Sequence, residues 1–145
     1  MGDILPKEGD KIRLIFRNFP LPMHPWARAA AEAAACARMQ DDRYFWQLHD
    51  YIFTHQRDLS AANMSSKLSE QAAGLEGFDV AQFQACIDNK ETTAKVDRDV
   101  EFGKQLKVEA TPTLFINGQR VSGYRAEEIR TLVREHLASD GATAK

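Results

Sequence analysis

The sequence has 145 residues, of which 43% are hydrophobic, and its formal net charge at pH 7 is −2. A chain of this size and composition can bury the core of one domain, which argues against intrinsic disorder. The small net charge gives no reason to expect a nucleic acid as a partner, and no apolar run approaches the roughly 20 residues that a membrane helix needs.

The first predicted element is a strand. Residues Ile12–Phe16 form a β-branched and aromatic run that follows the turn-forming pair Gly9-Asp10. The prolines in Phe19-Pro20-Leu21-Pro22 then predict an extended connection, because each proline disfavours a helical conformation in the residue before it.

Residues 1–6 have neither a basic flank nor an apolar core, so no signal peptide is visible.

Helices are predicted for the middle of the chain, either from high helix propensity or from apolar residues at helical spacing. They cover 26–39, 44–56, 60–73, a shorter segment with Val80, Phe83 and Cys86, and 90–106. Ser60 and Asp79 are interpreted as N-caps of the third and fourth of these helices.

A β-hairpin and a last helix follow. Asn117-Gly118 separates two extended stretches, Leu114–Ile116 and Gln119–Ser122. An Asn-Gly pair between strands predicts a type I′ turn, since both turn residues need a positive φ. Apolar residues at helical spacing then predict a helix over 126–137. One strand, a long helical excursion and a hairpin with a helix after it indicate an α/β layer architecture.

The chain has only two cysteines, Cys36 and Cys86. Neither lies in a Cys-x-x-Cys pair, and neither has a second Cys or His at metal-ligand spacing, so zinc is not expected. His49 and His55 fall on different faces of one predicted helix, which argues against a metal site there. We expect no metal and no cofactor.

Pro112 stands where the first strand of the hairpin begins. Proline is tolerated at the first residue of a strand, and X-Pro bonds accept the cis form more readily than other bonds. A cis bond would turn the backbone of Thr111 outward, toward an extended peptide. A trans proline that merely ends the preceding helix is the alternative.

Several pieces of the chain, in this order, resemble the DsbA-like branch of the thioredoxin superfamily from about Asp10 to Leu137. They are "DKIRLIFRNFPLPMHPWARAAAEAAACA", "YFWQLHDYIFTHQ", "FDVAQFQACID" and "VEATPTLFINGQRVSGY". The last piece resembles the cis-proline loop and terminal hairpin of that family. The resemblance implies a thioredoxin-like fold, with Thr111 and Pro112 as substrate-binding residues.

The chain departs from the family pattern at its start. The family has a strand and a helix with a Cys-x-x-Cys motif before the region that corresponds to Ile12, and residues 1–11 contain no cysteine. We therefore expect 1–11 to be a remnant of that helix and its turn. Residues 12–138 are expected to form a truncated domain with a helical insertion at about 26–106, and 139–145 a flexible tail. No catalytic residue can be assigned.

The resemblance also implies a structural disulfide between Cys36 and Cys86, since a subset of the family has one between these helices. Two buried free thiols are the alternative. A disulfide requires maturation in an oxidising compartment, and the family resemblance suggests the periplasm or cell envelope of a bacterium.

Three functions follow from these expectations. The first is protein thiol–disulfide exchange, with protein thiols or disulfides as partners and with no activity for the chain as written. The second is a non-catalytic module that binds an extended peptide at Thr111-Pro112 through main-chain hydrogen bonds. The third is the function of a relative of glutathione-dependent isomerases and transferases. Those enzymes depend on an N-terminal serine or cysteine, which this chain lacks. Loss of a central strand would also expose a gap in the sheet, which predicts a homodimer that pairs or swaps across the gap. The alternative is that the Ile12–Phe16 strand moves in and pairs directly with Thr113–Ile116.

Other candidate residues are interpreted structurally. His24 lies in a proline-flanked loop and is expected to be solvated. Trp26 and Trp46 are predicted at the core or its edge. The acidic residues Asp97, Asp99 and Glu101 alternate with other residues and are expected on a solvated helix face.

Overall fold

A computed structural model describes residues 11–142 of the chain, and the side chains of 140–142 are outside that description. Helices and one antiparallel pair of strands make up the fold. In chain order they are α1 (Ala27–Arg38), α2 (Asp42–Thr54), α3 (Met64–Ala73), α4 (Val80–Asp88), α5 (Thr93–Gln105), β1 (Thr113–Ile116), β2 (Gln119–Ser122) and α6 (Ala126–Ala142). The chain divides into two compact units. The helical unit comprises Arg17–Gly103, and the hairpin unit comprises the described residues on either side of it.

The core of the helical unit is built on the alanine-rich helix α1. Ala30, Ala33, Ala34 and Ala37 are buried and repeat at helical spacing. Their small side chains let α2 pack closely on α1, which is the most extensive contact between two helices of the unit. Larger side chains from the other helices fill the remaining space. They include Phe45, Leu48, Leu68, Phe83 and Val96.

One of the two predicted helix caps, Asp79, is confirmed in the helical unit. The side chain of Asp79 accepts a hydrogen bond from the backbone N–H of Gln82 at 2.9 Å and thereby caps α4. Ser60 Oγ accepts one from the backbone N–H of Asn63 at 3.3 Å. That bond closes a turn over 61–63. Ser60 is therefore not the N-cap of α3, because the helix begins at Met64 and its N-cap is Asn63.

The prediction that Ile12–Phe16 forms a strand of the sheet is wrong. Within residues 11–142 the sheet contains only β1 and β2, and 12–16 pairs with neither. The exposure of 12–16 nevertheless alternates, with Ile12, Leu14 and Phe16 half-buried and Arg13 and Ile15 exposed. The local sequence therefore sets the alternation of half-buried and exposed side chains, but a strand also needs a hydrogen-bonded neighbour.

The hairpin unit has its own small core. Val121, Ile129 and Leu132 are buried there, and Leu114, Ile116 and Val133 pack against them. α6 continues to Ala142, beyond the predicted end at Leu137 and into the predicted tail, because no proline follows Leu137 to stop it. The predicted remnant at 1–11 lies almost wholly outside the described residues. No helix between residues 11 and 142 is long and apolar enough to cross a membrane.

Candidate substrate-binding site

The hairpin has the register of a two-residue turn. Ile116 pairs with Gln119, and Leu114 pairs with Val121. Asn117 and Gly118 have φ values of 46° and 89°. Two successive positive φ values are those of the type I′ turn that the Asn-Gly pair predicts, so this part of the site follows from local sequence.

One edge of β1 has no neighbouring strand among the described residues. In an antiparallel pair, successive residues direct their N–H and C=O groups alternately to the partner strand and away from it. Pro112 faces the partner, since its carbonyl accepts a hydrogen bond from the Gly123 N–H at 2.8 Å. By this alternation, Thr113 and Phe115 direct their backbone groups to the open edge.

Thr111 and Pro112 lie on the surface at the start of this edge. Both residues are exposed, and the Thr111–Pro112 peptide bond is cis. Within residues 11–142, the backbone N–H and C=O of Thr111 have no hydrogen bond. The Thr113 hydroxyl donates to the Ala110 carbonyl at 2.7 Å and tightens the loop before β1. The exposed loop and the open edge thus form one surface, which we call the 111–115 edge.

Arg120 holds the 111–115 edge in place, a role that the sequence did not predict. Its guanidinium group donates to the carbonyls of Leu106 at 3.4 Å and Lys107 at 2.8 Å, just beyond the end of α5. It also lies 6.0 Å from the centre of the Phe115 ring. A cation suits the carbonyl-rich end of a helix, but only the fold brings β2 there.

The two cysteines form the disulfide that the family resemblance implies. Their Cα atoms are 5.9 Å apart, and both residues are buried. The bridge joins α1 to α4. It lies in the helical unit, whereas the 111–115 edge lies in the hairpin unit.

Asp99 corrects the prediction of a solvated acidic face on α5. Its side chain is fully buried, and it accepts hydrogen bonds from Lys95 Nζ at 2.6 Å and Arg17 Nη1 at 3.0 Å. Asp97, by contrast, is exposed as predicted. The one available signal was Lys95, which stands four residues before Asp99 on the same helix face.

The remaining candidates do not assemble into a site. His24 is exposed, and its ring lies 5.8 Å from that of Trp26. His49 contacts the rings of Trp46 and Phe53 and bonds through Nδ1 to Asp50 at 2.9 Å. In the described part of the chain, no group of three or more His, Cys, Asp or Glu residues could hold a metal ion.

Comparison with known families decides the fold family. A family model described as thioredoxin matches residues 3–135. The chain belongs to the thioredoxin family. The matched span contains α1 to α5, the hairpin and the first part of α6. No solved structure matched the chain.

Relatives of two kinds are similar to this chain. The Na(+)/H(+) antiporter NhaA 3 of Salinispora tropica is 33% identical over 130 residues, which are 88% of this chain and 19% of that protein. The Na(+)/H(+) antiporter NhaA 1 of Mycolicibacterium gilvum is 35% identical over 118 residues, 79% of this chain and 18% of that protein. The probable disulfide bond formation protein D of Bacillus cereus is 30% identical over 110 residues, 74% of this chain and 50% of that protein.

This chain therefore spans about a fifth of the antiporters and half of the disulfide bond formation protein. The similarity to the latter confirms the resemblance to thioredoxin-like proteins of disulfide bond formation.

Proposed function

We propose that this thioredoxin-like chain binds an extended protein segment along the 111–115 edge, as part of protein thiol–disulfide exchange in the cell envelope. One observation carries the proposal. Thr111, Thr113 and Phe115 present backbone donors and acceptors that no other described residue uses. An extended peptide can pair with such an edge, gaining affinity from main-chain hydrogen bonds.

The setting of this proposal rests on two further facts. One relative is named a probable disulfide bond formation protein. The Cys36–Cys86 disulfide also fits a protein that matures in an oxidising compartment, where such bonds persist. Both facts favour the cell envelope over the reducing cytosol.

Catalysis of protein dithiol exchange by the 145-residue chain alone is not part of the proposal. The attacking group in that reaction is a thiolate, and both cysteines of the chain are buried, where a folded protein substrate does not reach them. We expect the purified chain to leave the rate of insulin reduction by dithiothreitol at background. Turnover above background that disappears in a Cys36→Ser variant would contradict this expectation.

A non-catalytic binding module is the second candidate, and the burial of both cysteines favours it. The two candidates share the 111–115 edge and differ in the partner. An oxidoreductase region should prefer a peptide that contains cysteine, whereas a binding module should bind the same peptide with serine in its place equally well.

N-methylated peptides test the binding mode. In a peptide paired with the edge, only every second N–H points toward β1. N-methylation of one alternate set of residues should abolish binding measured by calorimetry. N-methylation of the other set is the matched control and should leave the affinity within roughly twofold. Equal losses from both sets would contradict pairing with the edge.

A further inference from the structure

A pocket of about 220 Å³ lies in the helical unit beside the disulfide. Much of its wall comes from small residues, Ala29, Ala33, Ala61 and Ser65. Because these side chains are short, they leave between α1 and the start of α3 a space that larger residues would fill. Cys86 also lines this pocket, so a partly open space adjoins the disulfide.

The two halves of the disulfide differ in their access to the pocket. Cys86 lines it and Cys36 does not, although Cys86 Sγ also lies 3.7 Å from Sδ of Met39, a residue outside the lining. Cys36 Sγ lies instead 3.6 Å from the hydroxyl oxygen of Thr92, which donates its own proton to the Glu32 carbonyl at 2.9 Å. A molecule in the pocket would therefore meet Cys86. A thiol released from Cys36 would find the Thr92 oxygen as an acceptor for its S–H.

Lys90 supplies a positive charge to the same pocket. It follows α4 with a φ of 54°, a conformation in which glycine is strongly preferred at this position. The N–H groups of Lys90 and Glu91 donate to the carbonyls of Ile87 and Cys86, both at 3.1 Å, which closes the helix end. Within the described residues, the Lys90 ammonium group has no hydrogen bond or ion pair.

The other charged group that lines the pocket, the carboxylate of Glu32, already has hydrogen-bond partners. The Glu32 carboxylate accepts hydrogen bonds from Arg28 Nε at 3.1 Å and from the Thr93 hydroxyl at 3.2 Å. Lys90 is thus the lining group with an unused charge, and it favours an anionic occupant over a cationic one.

We propose that the pocket admits a small carboxylate-bearing thiol, which exchanges with the disulfide at Cys86. The thiolate sulfur attacks Cys86 Sγ and forms a mixed disulfide. The bond to Cys36 breaks, its electron pair stays on Cys36 Sγ, and that thiolate takes a proton from water.

A second molecule of the small thiol completes the exchange. Its thiolate attacks the sulfur of the bound molecule and releases Cys86 as a thiolate. Two small thiols are then oxidised to their disulfide, and the protein disulfide is reduced by two electrons. This site is independent of the 111–115 edge, so it does not rest on the function proposed above.

The charge of the thiol provides the first test. The oxidised 145-residue chain is mixed with mercaptoacetate, 2-mercaptoethanol or cysteamine, and acid-quenched samples are alkylated and analysed by mass spectrometry. Rates are expressed per thiolate and divided by those of the same chain unfolded in urea. We expect the first adduct on Cys86, and mercaptoacetate to be roughly two- to fivefold faster than cysteamine, as for one partly solvated charge pair.

Variants of exposed residues provide the second test. Lys90→Gln should remove the preference for mercaptoacetate. Ala61→Leu should slow reduction by narrowing the pocket, whereas Ala62→Leu, the adjacent exposed residue outside the lining, should not. A first adduct on Cys36, equal normalised rates for the three thiols, or equal rates in the two leucine variants would overturn the proposal. Reduction at a rate independent of thiol concentration would also overturn it, since it would show that unfolding limits access.

Discussion

Asn18 donates two hydrogen bonds to the buried carboxylate of Asp99, from its backbone N–H at 3.2 Å and from Nδ2 at 3.0 Å. Arg17 and Lys95 donate to the same carboxylate. The cluster ties the extended segment that precedes α1 to the middle of α5. An isolated buried carboxylate would be strongly unfavourable, and these donors are what make its burial possible.

Asp99→Asn should lower the free energy of unfolding at pH 7 by about 2–3 kcal/mol. An asparagine has one acceptor oxygen, and its amide group would face donors. Burial raises the pKa of Asp99, but the hydrogen bonds from Lys95, Asn18 and Arg17 together outweigh burial and hold that pKa below its ordinary value. The carboxylate therefore stabilises the fold above the unfolded-state pKa of about 4, and the contribution is lost as the pH falls through the lower folded-state value.

Urea denaturation of both proteins at several pH values measures this effect. The difference between wild type and variant should be largest near pH 7 and should shrink below about pH 4. Asp97→Asn is the matched control on the same helix. Asp97 is exposed and pairs with Arg28 at 2.6 Å, so its loss should cost less than about 1 kcal/mol. Equal effects at the two positions would contradict the role assigned to Asp99.

The burial of Asp99 is a feature that the sequence did not predict. Alternating charges on a polar helix indicate a solvated face, and that inference holds for Asp97. Burial of Asp99 depends on Arg17 and Asn18, which are remote in sequence and are brought close only by the fold. No local pattern could have shown that contact.

Gly103→Ala should destabilise the protein by about 1–3 kcal/mol, although alanine favours a helix interior by about 1 kcal/mol. Gly103 lies in α5, and a Cβ there would come within 2.6 Å of two atoms of the half-buried Phe19 ring. Thermal denaturation of the single and double variants measures the clash. In a Phe19→Ala background the same change should cost less or even stabilise, because the contact is gone.

Gly74→Ala is the matched control for Gly103→Ala. Gly74 has a φ of −81°, and its Cβ would meet only the Gln71 carbonyl oxygen, at an ordinary 3.5 Å. We expect no loss of stability there. A loss at Gly74 as large as that at Gly103 would show that the ring contact is not the cause.

Lys90→Gly should raise the free energy of unfolding by about 0.5–1 kcal/mol. Lys90 has a φ of 54°, and glycine adopts that conformation without the steric penalty of a side chain. Asn89→Gly is the matched control, because Asn89 has a φ of −82° and would gain only unfolded-state entropy. Chemical denaturation should show stabilisation by the first change and destabilisation by the second. The same sign for both would contradict strain at Lys90.

The candidate site was predictable where local chemistry decides the structure. The Asn117-Gly118 pair specifies its own turn, and the apolar positions of α6 specify the face that covers the hairpin. That Ile12–Phe16 pairs with neither β1 nor β2 was not predictable, because hydrogen bonding of a strand depends on a neighbour elsewhere in the chain. The pocket beside Cys86 was also not predictable from the sequence, since it arises from side chains that are too small to fill the space between the helices.

The last prediction concerns self-association through the 111–115 edge. An unpaired apolar strand edge favours pairing with another chain, and Phe115 is an exposed apolar residue of this edge. We expect sedimentation equilibrium at micromolar concentration to show a dimer, and a peptide that binds the edge to shift it toward monomer. Thr113→Pro should weaken the dimer, because proline is tolerated at the first residue of a strand but removes the outward N–H. Thr113→Val is the matched control: it loses the same hydroxyl group but keeps the N–H, so its dimer should persist. A monomer at every concentration, or equal weakening by the two variants, would rule out association through this edge.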